Sequence, residues 1–115
     1  MHNTVYISGK ITGMEEQAYK NFEEAENYIT SLGFNVINPM KLTHNHDKTW
    51  NSYMKECLKH LMDCDYIYLI NGYEESKGAK LELYIAEELG IVNFAEYEVA
   101  QSVYELTKGT INILK

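Results

Sequence analysis

A carboxylate and a hydroxyl lie near the start of a predicted helix, in a stretch of the chain that has the pattern of a ligand site. Residues 65–70 are β-branched and aromatic, as in a buried strand, and residues 71–78 form a loop with two glycines. Ser76 ends this loop, and Glu82 falls in the first turn of the helix predicted from residue 79. Because open parallel sheets bind ligands beyond the carboxyl ends of their strands, the pattern predicts a site here. The helix dipole also favours glutamate at this position, so a purely structural role stays open.

A second loop could hold an anion. The first predicted strand, residues 4–8, ends at Ser8, and Ser8-Gly9-Lys10 at its end offers a hydroxyl, an unhindered backbone and a cation. Such a combination suits a phosphate or a sugar hydroxyl. A glycine after a strand is also typical of an ordinary turn. The loop matches neither the P-loop nor the dinucleotide-binding fingerprint.

The elements that must position these loops alternate along the chain. Apolar periodicity predicts strands at residues 4–8, 34–37, 65–70 and 91–94, and helices at residues 15–32, 50–64, 79–90 and 96–108. Residues 111–114 form either a fifth strand or a docked tail. The alternation predicts a three-layer α/β fold, with a flavodoxin-like or Rossmann-like parallel sheet of four to five strands covered by helices on both faces. Without a repeat or linker, residues 1–115 are predicted to form a single domain.

Composition limits the partners and the compartment. The net charge of −7 argues against binding a nucleic-acid polymer, which requires clustered lysine and arginine. No apolar run approaches the ~18 residues of a membrane span, and the first residues lack a secretory signal. Cys57 and Cys64 are therefore expected to be reduced thiols in a cytoplasmic protein.

The remaining candidate groups have ordinary structural explanations. His44, His46 and His60 have a spacing that fits no standard zinc site, so no metal and no cofactor are predicted. Trp50, Tyr53 and Met54 recur at helical spacing, which indicates a core or a subunit interface.

Eight short motifs follow one another along residues 4–95. They are Val5-Tyr6-Ile7-Ser8-Gly9-Lys10-Ile11-Thr12-Gly13, Phe22 with Ala25-Glu26, Gly33-Phe34, Asn38-Pro39, Trp50-x-x-Tyr53-Met54, Cys64-Asp65, Gly72-Tyr73-Glu74 and Ser76-x-Gly78-Ala79-x-x-Glu82-x-x-x-Ala86. In this order they resemble a phage and bacterial family, domain of unknown function 4406 (DUF4406), which is related to nucleoside 2-deoxyribosyltransferases and to a deoxynucleoside monophosphate N-glycosidase.

The resemblance implies a pocket for a small nucleoside or nucleotide. A glutamate at the place of Glu82 would attack the anomeric carbon and form a covalent deoxyribosyl-enzyme. Ser76 matches a serine that faces a 5′-phosphate, and Ser8, Gly9 and Lys10 match the first-strand loop. Tyr6 falls near a tyrosine beside the sugar. Asn38 and Gly78 complete the expected binding residues, and the relatives imply a homodimer or a larger homo-oligomer.

One position departs from the family pattern. The relatives carry an aspartate on the helix before the central strand, where this chain has Cys57. A thiol does not replace a carboxylate at neutral pH, and the adjacent Glu56 would point about 100° away around the helix. Three hypotheses stand: an enzyme acting at the N-glycosidic bond, a protein that binds a nucleotide or a nucleotide-derived signal without cleaving it, and a scaffold whose acidic surface binds another protein.

Overall fold

Strands and helices alternate through the part of the chain that the structure describes. The computed structural model describes residues 3–44 and 46–114, with side chains as far as Lys108. The elements are β1 (Thr4–Ser8), α1 (Glu15–Ser31), β2 (Asn35–Ile37), α2 (Trp50–Leu61), β3 (Tyr66–Leu69), α3 (Lys77–Glu88), β4 (Val92–Asn93) and α4 (Phe94–Leu114). Two short 3-10 turns, Pro39–Lys41 and Tyr73–Glu75, follow β2 and β3.

The four strands form one parallel sheet in the order β2-β1-β3-β4. β1 is therefore a central strand, and Tyr6 pairs with Ile37 on one side and with Ile67 on the other. This order confirms the predicted flavodoxin-like sheet. Every connection between parallel neighbours passes through a helix, as the geometry of parallel strands requires.

The sheet separates two apolar clusters, which confirms the predicted three layers. On one face, Val5 and Ile7 of β1 pack with α1 and with the start of α4. On the other face, Tyr6 packs with α2, β3 and α3. Successive side chains of a strand point to opposite faces. Tyr6 and Ser8 therefore share the face that α3 covers.

Element boundaries differ from the predictions at several places. α3 begins at Lys77 rather than at residue 79, because the Ser76 hydroxyl accepts a hydrogen bond from the Ala79 backbone N–H at 3.1 Å and caps the helix there. α2 ends at Leu61 rather than at residue 64. The backbone of residues 111–114 continues α4, so the fifth strand, one of the two alternatives predicted there, does not form. The stretch after Phe94 contains no proline, and nothing in it forces a turn.

An aromatic cluster fixes the start of α4 against the sheet. The Phe34 ring meets Phe94 edge-on at 5.1 Å between centroids, and it meets Tyr97 and Tyr66 at 4.9 and 5.6 Å. Edge-to-face pairs at these distances are favourable beyond their burial. In the described part of the chain, no helix is long and apolar enough to span a membrane.

We expect Phe94→Ala to lower the free energy of unfolding by about 3–5 kcal/mol, because it removes a fully buried ring from this cluster. Tyr84→Ala, on the exposed face of α3, is the control and should change stability by less than about 0.5 kcal/mol. Urea denaturation of both variants measures the difference. Equal losses would contradict the role given to the cluster.

Candidate functional site

A cavity of about 660 Å³ lies at the carboxyl ends of β1 and β3. Its walls come from the loop after β1, from residue 44 and residues between 46 and 54, and from the first two turns of α3. Six of the residues predicted for the site line it: Tyr6, Gly9, Lys10, Ser76, Gly78 and Glu82. The fold thus brings the two predicted loops to one cavity, and a volume of this size is typical of small-molecule sites.

Glu82 is held at the base of this cavity by two hydroxyl groups of β1. The Tyr6 hydroxyl donates to Oε2 of Glu82 at 2.5 Å, and the Ser8 hydroxyl donates to Oε1 at 2.7 Å. The glutamate is only 6% exposed, and Ser8 lies beneath it, 1% exposed. Both carboxyl oxygens therefore have a fixed partner from the same strand.

Burial makes the Glu82 carboxyl a weaker acid. Desolvation raises its pKa to about 7, against the lowering effect of the hydrogen bonds from Tyr6 and Ser8. Glu82 is the sixth residue of α3, in its second turn rather than in the first turn that we predicted. Because the helix dipole acts mainly within the first turn, it does not account for a glutamate here. A raised pKa in a cavity wall is typical of a catalytic carboxyl.

Cys57, on α2, joins the hydrogen-bonded group formed by Glu82, Tyr6 and Ser8. Burial raises the pKa of its thiol to about 11, and hydrogen bonds with the hydroxyls of Tyr6 and Tyr53 only partly offset that rise. The pKa of Tyr6 is also raised, first by burial and then by the negative charge of Glu82. At neutral pH, Cys57 and Tyr6 are therefore protonated, and Glu82 is the member of the group that ionises.

Two glycines allow the walls of the cavity to pack closely. A Cβ at Gly9 would lie 3.0 Å from Cβ of Ile70, where the loop after β1 crosses the end of β3. A Cβ at Gly78 would lie 3.0 Å from the sulfur of Met54, where α3 approaches α2. Real Cβ atoms rarely come this close, so a side chain at either position would push the wall outward.

The rim of the cavity is cationic, although the chain as a whole is acidic. Three lysines, Lys10, Lys48 and Lys77, line it, against the two carboxyl groups of Glu75 and Glu82. Nζ of Lys10 lies 3.7 Å from the Glu75 carboxylate, and Nζ of Lys77 lies 4.2 Å from the centroid of the Trp50 ring. The first turn of α3 adds backbone N–H groups on the same side. This end of the cavity favours a negatively charged group.

Asn38 lies apart from the other predicted site residues. Its carboxamide N–H donates to Glu26 at 3.0 Å, and its oxygen accepts from the Met40 N–H at 3.0 Å. The side chain thus caps the 3-10 turn, and the neighbouring Pro39 lines the cavity in its place. Asn38 shapes the wall without lying in it.

Sequence reasoning missed the aromatic wall of the cavity. The spacing of Trp50, Tyr53 and Met54 predicts a core or a subunit interface. Met54 is indeed buried, and all three side chains also line the cavity. His44 stacks on Tyr53 with ring centroids 4.7 Å apart. The available signal was their position, because α2 begins at Trp50 directly after the loop that leaves β2 toward the carboxyl edge. Among residues 3–44 and 46–114, no three metal-binding side chains come together.

Comparison with known proteins identifies the family. The model of DUF4406, a domain of unknown function, matches residues 3–94, so the chain belongs to this family. Among solved structures, the fold is similar to a 2-deoxyribosyltransferase from the psychrotolerant bacterium Bacillus psychrosaccharolyticus. The TM-score is 0.60 at 23% identity, over 77% of this chain and 69% of that one. No curated protein matches the chain.

The raised pKa of Glu82 makes a prediction about stability. Its pKa is about 7 when folded and 4.5 unfolded, so folding favours the neutral carboxyl. The stability that folding gains from the neutral Glu82 carboxyl is therefore complete below about pH 4.5 and is lost as the pH rises through 7. Glu82→Gln cannot ionise. We therefore expect its free energy of unfolding, relative to that of the parent, to increase by roughly 1–3 kcal/mol as the pH rises from 5 to 8.

Urea denaturation at several pH values measures this difference. Glu88→Gln, on the exposed face of the same helix, controls for the loss of one glutamate. A constant difference between Glu82→Gln and the parent across this pH range would show that the buried carboxyl does not titrate near neutrality.

Proposed function

We propose that the protein binds a small nucleoside or nucleotide in the cavity and acts on its N-glycosidic bond, with Glu82 as the nucleophile. One observation carries this proposal: a buried carboxyl held by Tyr6 and Ser8 faces a cavity of about 660 Å³. The likeness of the fold to a 2-deoxyribosyltransferase supports a sugar–base substrate. The family's own description assigns no function.

The proposed reaction has two displacement steps. A Glu82 oxygen forms a bond to the anomeric carbon, while the bond to the base nitrogen breaks and its electron pair leaves with the base, which takes up a proton from solvent. Water or a second base then attacks the same carbon and releases the carboxylate. A nearby negative charge stabilises the oxocarbenium-like transition state of both steps. The hydroxyls of Tyr6 and Ser8 would keep the carboxylate oriented throughout.

The aromatic wall and the lysine rim suggest how the ligand lies. Trp50 and Tyr53 offer apolar faces for the base, and Lys10, Lys48 and Lys77 with the first turn of α3 offer charge for a phosphate. Ser76 has its hydroxyl within this turn. We therefore infer that a 5′-monophosphate binds better than the nucleoside.

Lys77→Gln tests this orientation. Because it removes one charge near the phosphate, we expect KM for a nucleoside 5′-monophosphate to rise about 3- to 10-fold, with little change for the nucleoside. Lys59→Gln, on the exposed surface of α2, is the matched control. Equal effects on both substrates would place the phosphate elsewhere.

A second candidate function is binding without cleavage, and Cys57 favours it. Its thiol stays neutral at pH 7, since burial raises its pKa to about 11. The site thus lacks the second carboxylate that the family resemblance leads one to expect at this place. A cavity that keeps its walls and its rim charges would still bind the ligand. This reading makes the protein a nucleotide-binding or sequestering module.

The deciding experiment is a chromatographic assay of nucleosides, 5′-monophosphates and cyclic nucleotides with the parent protein and with Glu82→Gln. The enzyme hypothesis predicts free base from the parent and at least a 100-fold loss in the variant, the usual cost of removing a nucleophile. Activity should also fall as the pH drops below about 7, because the carboxyl must be ionised to attack.

Other results of this assay separate the alternatives. A ligand that is depleted from solution and recovered intact after denaturation identifies the binding module. Full activity in Glu82→Gln would disprove the mechanism, and the absence of both binding and cleavage across the panel would disprove both functions. Addition of a second free base distinguishes transfer from hydrolysis.

A further inference from the structure

Two histidines in the wall of the cavity have a ring nitrogen without a hydrogen-bond partner. They are His44 and His46, on the loop that precedes α2. Among the side chains that the structure describes, Nδ1 of His44 and Nε2 of His46 are the buried polar atoms for which no hydrogen bond forms, and both are closed to solvent. A buried polar group without a partner is costly, and native proteins retain few of them. Such a pair in the wall of a cavity calls for a functional explanation.

The backbone fixes the hydrogen on each ring, so the two rings differ in what they can do. Nε2 of His44 lies 2.9 Å from the Pro39 carbonyl oxygen. Because that oxygen can only accept, Nε2 carries the hydrogen and Nδ1 is the basic nitrogen. Nδ1 of His46 accepts from the Lys48 N–H at 3.0 Å, so its Nε2 carries the hydrogen. Of the two, His44 is therefore the ring that can take up and give back a proton at its unpartnered nitrogen.

The His44 ring is held against the aromatic wall that offers a face to the base. It stacks on Tyr53 with ring centroids 4.7 Å apart and 30° between the ring planes, and it meets His46 edge-on at 5.2 Å. The Lys48 ammonium group donates to the His44 carbonyl oxygen and so fixes the main chain behind the ring. A proton on Nδ1 of His44 would therefore lie close to the leaving base.

We propose that His44 moves the proton of the reaction, as general acid in the first step and as general base in the second. This inference rests on the proposed function, in which Glu82 attacks the anomeric carbon. As the bond from that carbon to the base nitrogen breaks, its electron pair stays on the base, and the proton on Nδ1 of His44 passes to the base. Nδ1 then takes a proton from the attacking water, or from the N–H of a second base. His44 is the immediate proton donor, and in hydrolysis water restores its proton.

The surroundings of Nδ1 suit a group that moves protons. Histidine is the side chain whose ordinary protonation change falls closest to neutral pH. The hydrogen bond from Nε2 to the Pro39 carbonyl orients the ring, and it becomes stronger when the ring is charged. Because Nδ1 is covered from solvent, the ring must turn slightly to meet the base, and the hydrogen bond gained there removes the cost of an unpaired nitrogen. His44 thus supplies the proton transfer that the neutral Cys57 thiol does not.

Substrates that differ in their need for a proton test this role. The base of a common 2′-deoxynucleoside 5′-monophosphate leaves readily only when it is protonated. The base of 7-methyl-2′-deoxyguanosine 5′-monophosphate already carries a positive charge and leaves as a neutral molecule. 4-Nitrophenolate leaves 4-nitrophenyl 2-deoxyribofuranoside 5-phosphate as a stable anion. Both activated substrates need the nucleophile but no acid.

His44→Gln is the test variant, because glutamine keeps an N–H for the Pro39 carbonyl but cannot take up a proton. We expect kcat for the best common monophosphate to fall about 10²- to 10⁴-fold, the usual contribution of general acid–base catalysis, and kcat for the activated substrates to stay within about threefold. The uncatalysed rate is subtracted in each case. His60→Gln, on α2 outside the cavity lining, is the matched control and should leave the rates for both classes of substrate unchanged.

The two classes of substrate separate this inference from the proposed function. Glu82→Gln should lose activity on both classes, because both need the nucleophile. Equal losses on both classes in a His44→Gln protein whose circular dichroism matches the parent would overturn the role of His44 and leave that of Glu82 intact. Full activity of His44→Gln on common monophosphates would overturn it as well, as would a parent that cleaves these but neither activated substrate. His44→Asn replaces His44→Gln if that variant does not fold. A parent that cleaves no substrate of either class overturns both proposals.

Discussion

The burial of the Glu82 carboxyl between two hydroxyls of β1 is the interaction on which the site depends. An isolated carboxylate in the interior is strongly disfavoured, and the Tyr6 and Ser8 hydrogen bonds offset only part of that cost, which is why the pKa of Glu82 stays at about 7. The arrangement requires β1 to lie in the centre of the sheet and α3 to cross it on the face of Tyr6 and Ser8. The site can therefore form only with this order of strands.

The helix cap transmits that constraint to the loops. The Ser76 hydroxyl caps the first turn of α3, and a one-residue shift in the register of α3 against β1 would rotate Glu82 by about 100° away from the strand. Close packing of the neighbouring walls then limits what the loops can contain. A Cβ at Gly9 would lie 3.0 Å from Ile70 and one at Gly78 would lie 3.0 Å from Met54, so the neighbouring side chain would have to move by a few tenths of an ångström. These close contacts set the shape of the cavity walls above the apolar core.

The sequence predicted the fold well because its signals were local and periodic. Alternating strands and helices are enough to indicate a parallel sheet with helices on both faces, and the flavodoxin-like order is one of the common strand orders of such sheets. The loop after β1 and the start of α3 could be selected for the same reason, since both lie at carboxyl ends of strands. The contact of Tyr6 and Ser8 with Glu82 could not be predicted, because it depends on how α3 crosses a strand more than 70 residues earlier.

The errors have equally physical causes. Glycine at position 78 weakens a helix, so the pattern placed the start of α3 too late, whereas the Ser76 cap outweighs that preference. Trp50 and Tyr53 have the spacing of an ordinary buried stripe, and periodicity cannot distinguish a stripe that faces a core from one that faces a cavity. Isoleucines at 111 and 113 alternate as in a strand, yet the backbone there continues the helix that began at Phe94.

Cys57 shows how a neutral side chain beside Glu82 affects the electrostatics of the site. A carboxylate at this place would lie close to Tyr6 and would add a second negative charge near Glu82, which would raise the pKa of Glu82 further. The neutral thiol avoids that repulsion and still hydrogen-bonds Tyr6 and Tyr53, so the hydroxyl that orients Glu82 keeps its place. Compared with a carboxylate, the thiol therefore makes Glu82 easier to ionise but does not move a proton as readily at neutral pH. The proposed nucleophile would benefit from the first effect, and the proposed reaction would depend on His44 or on solvent for the second.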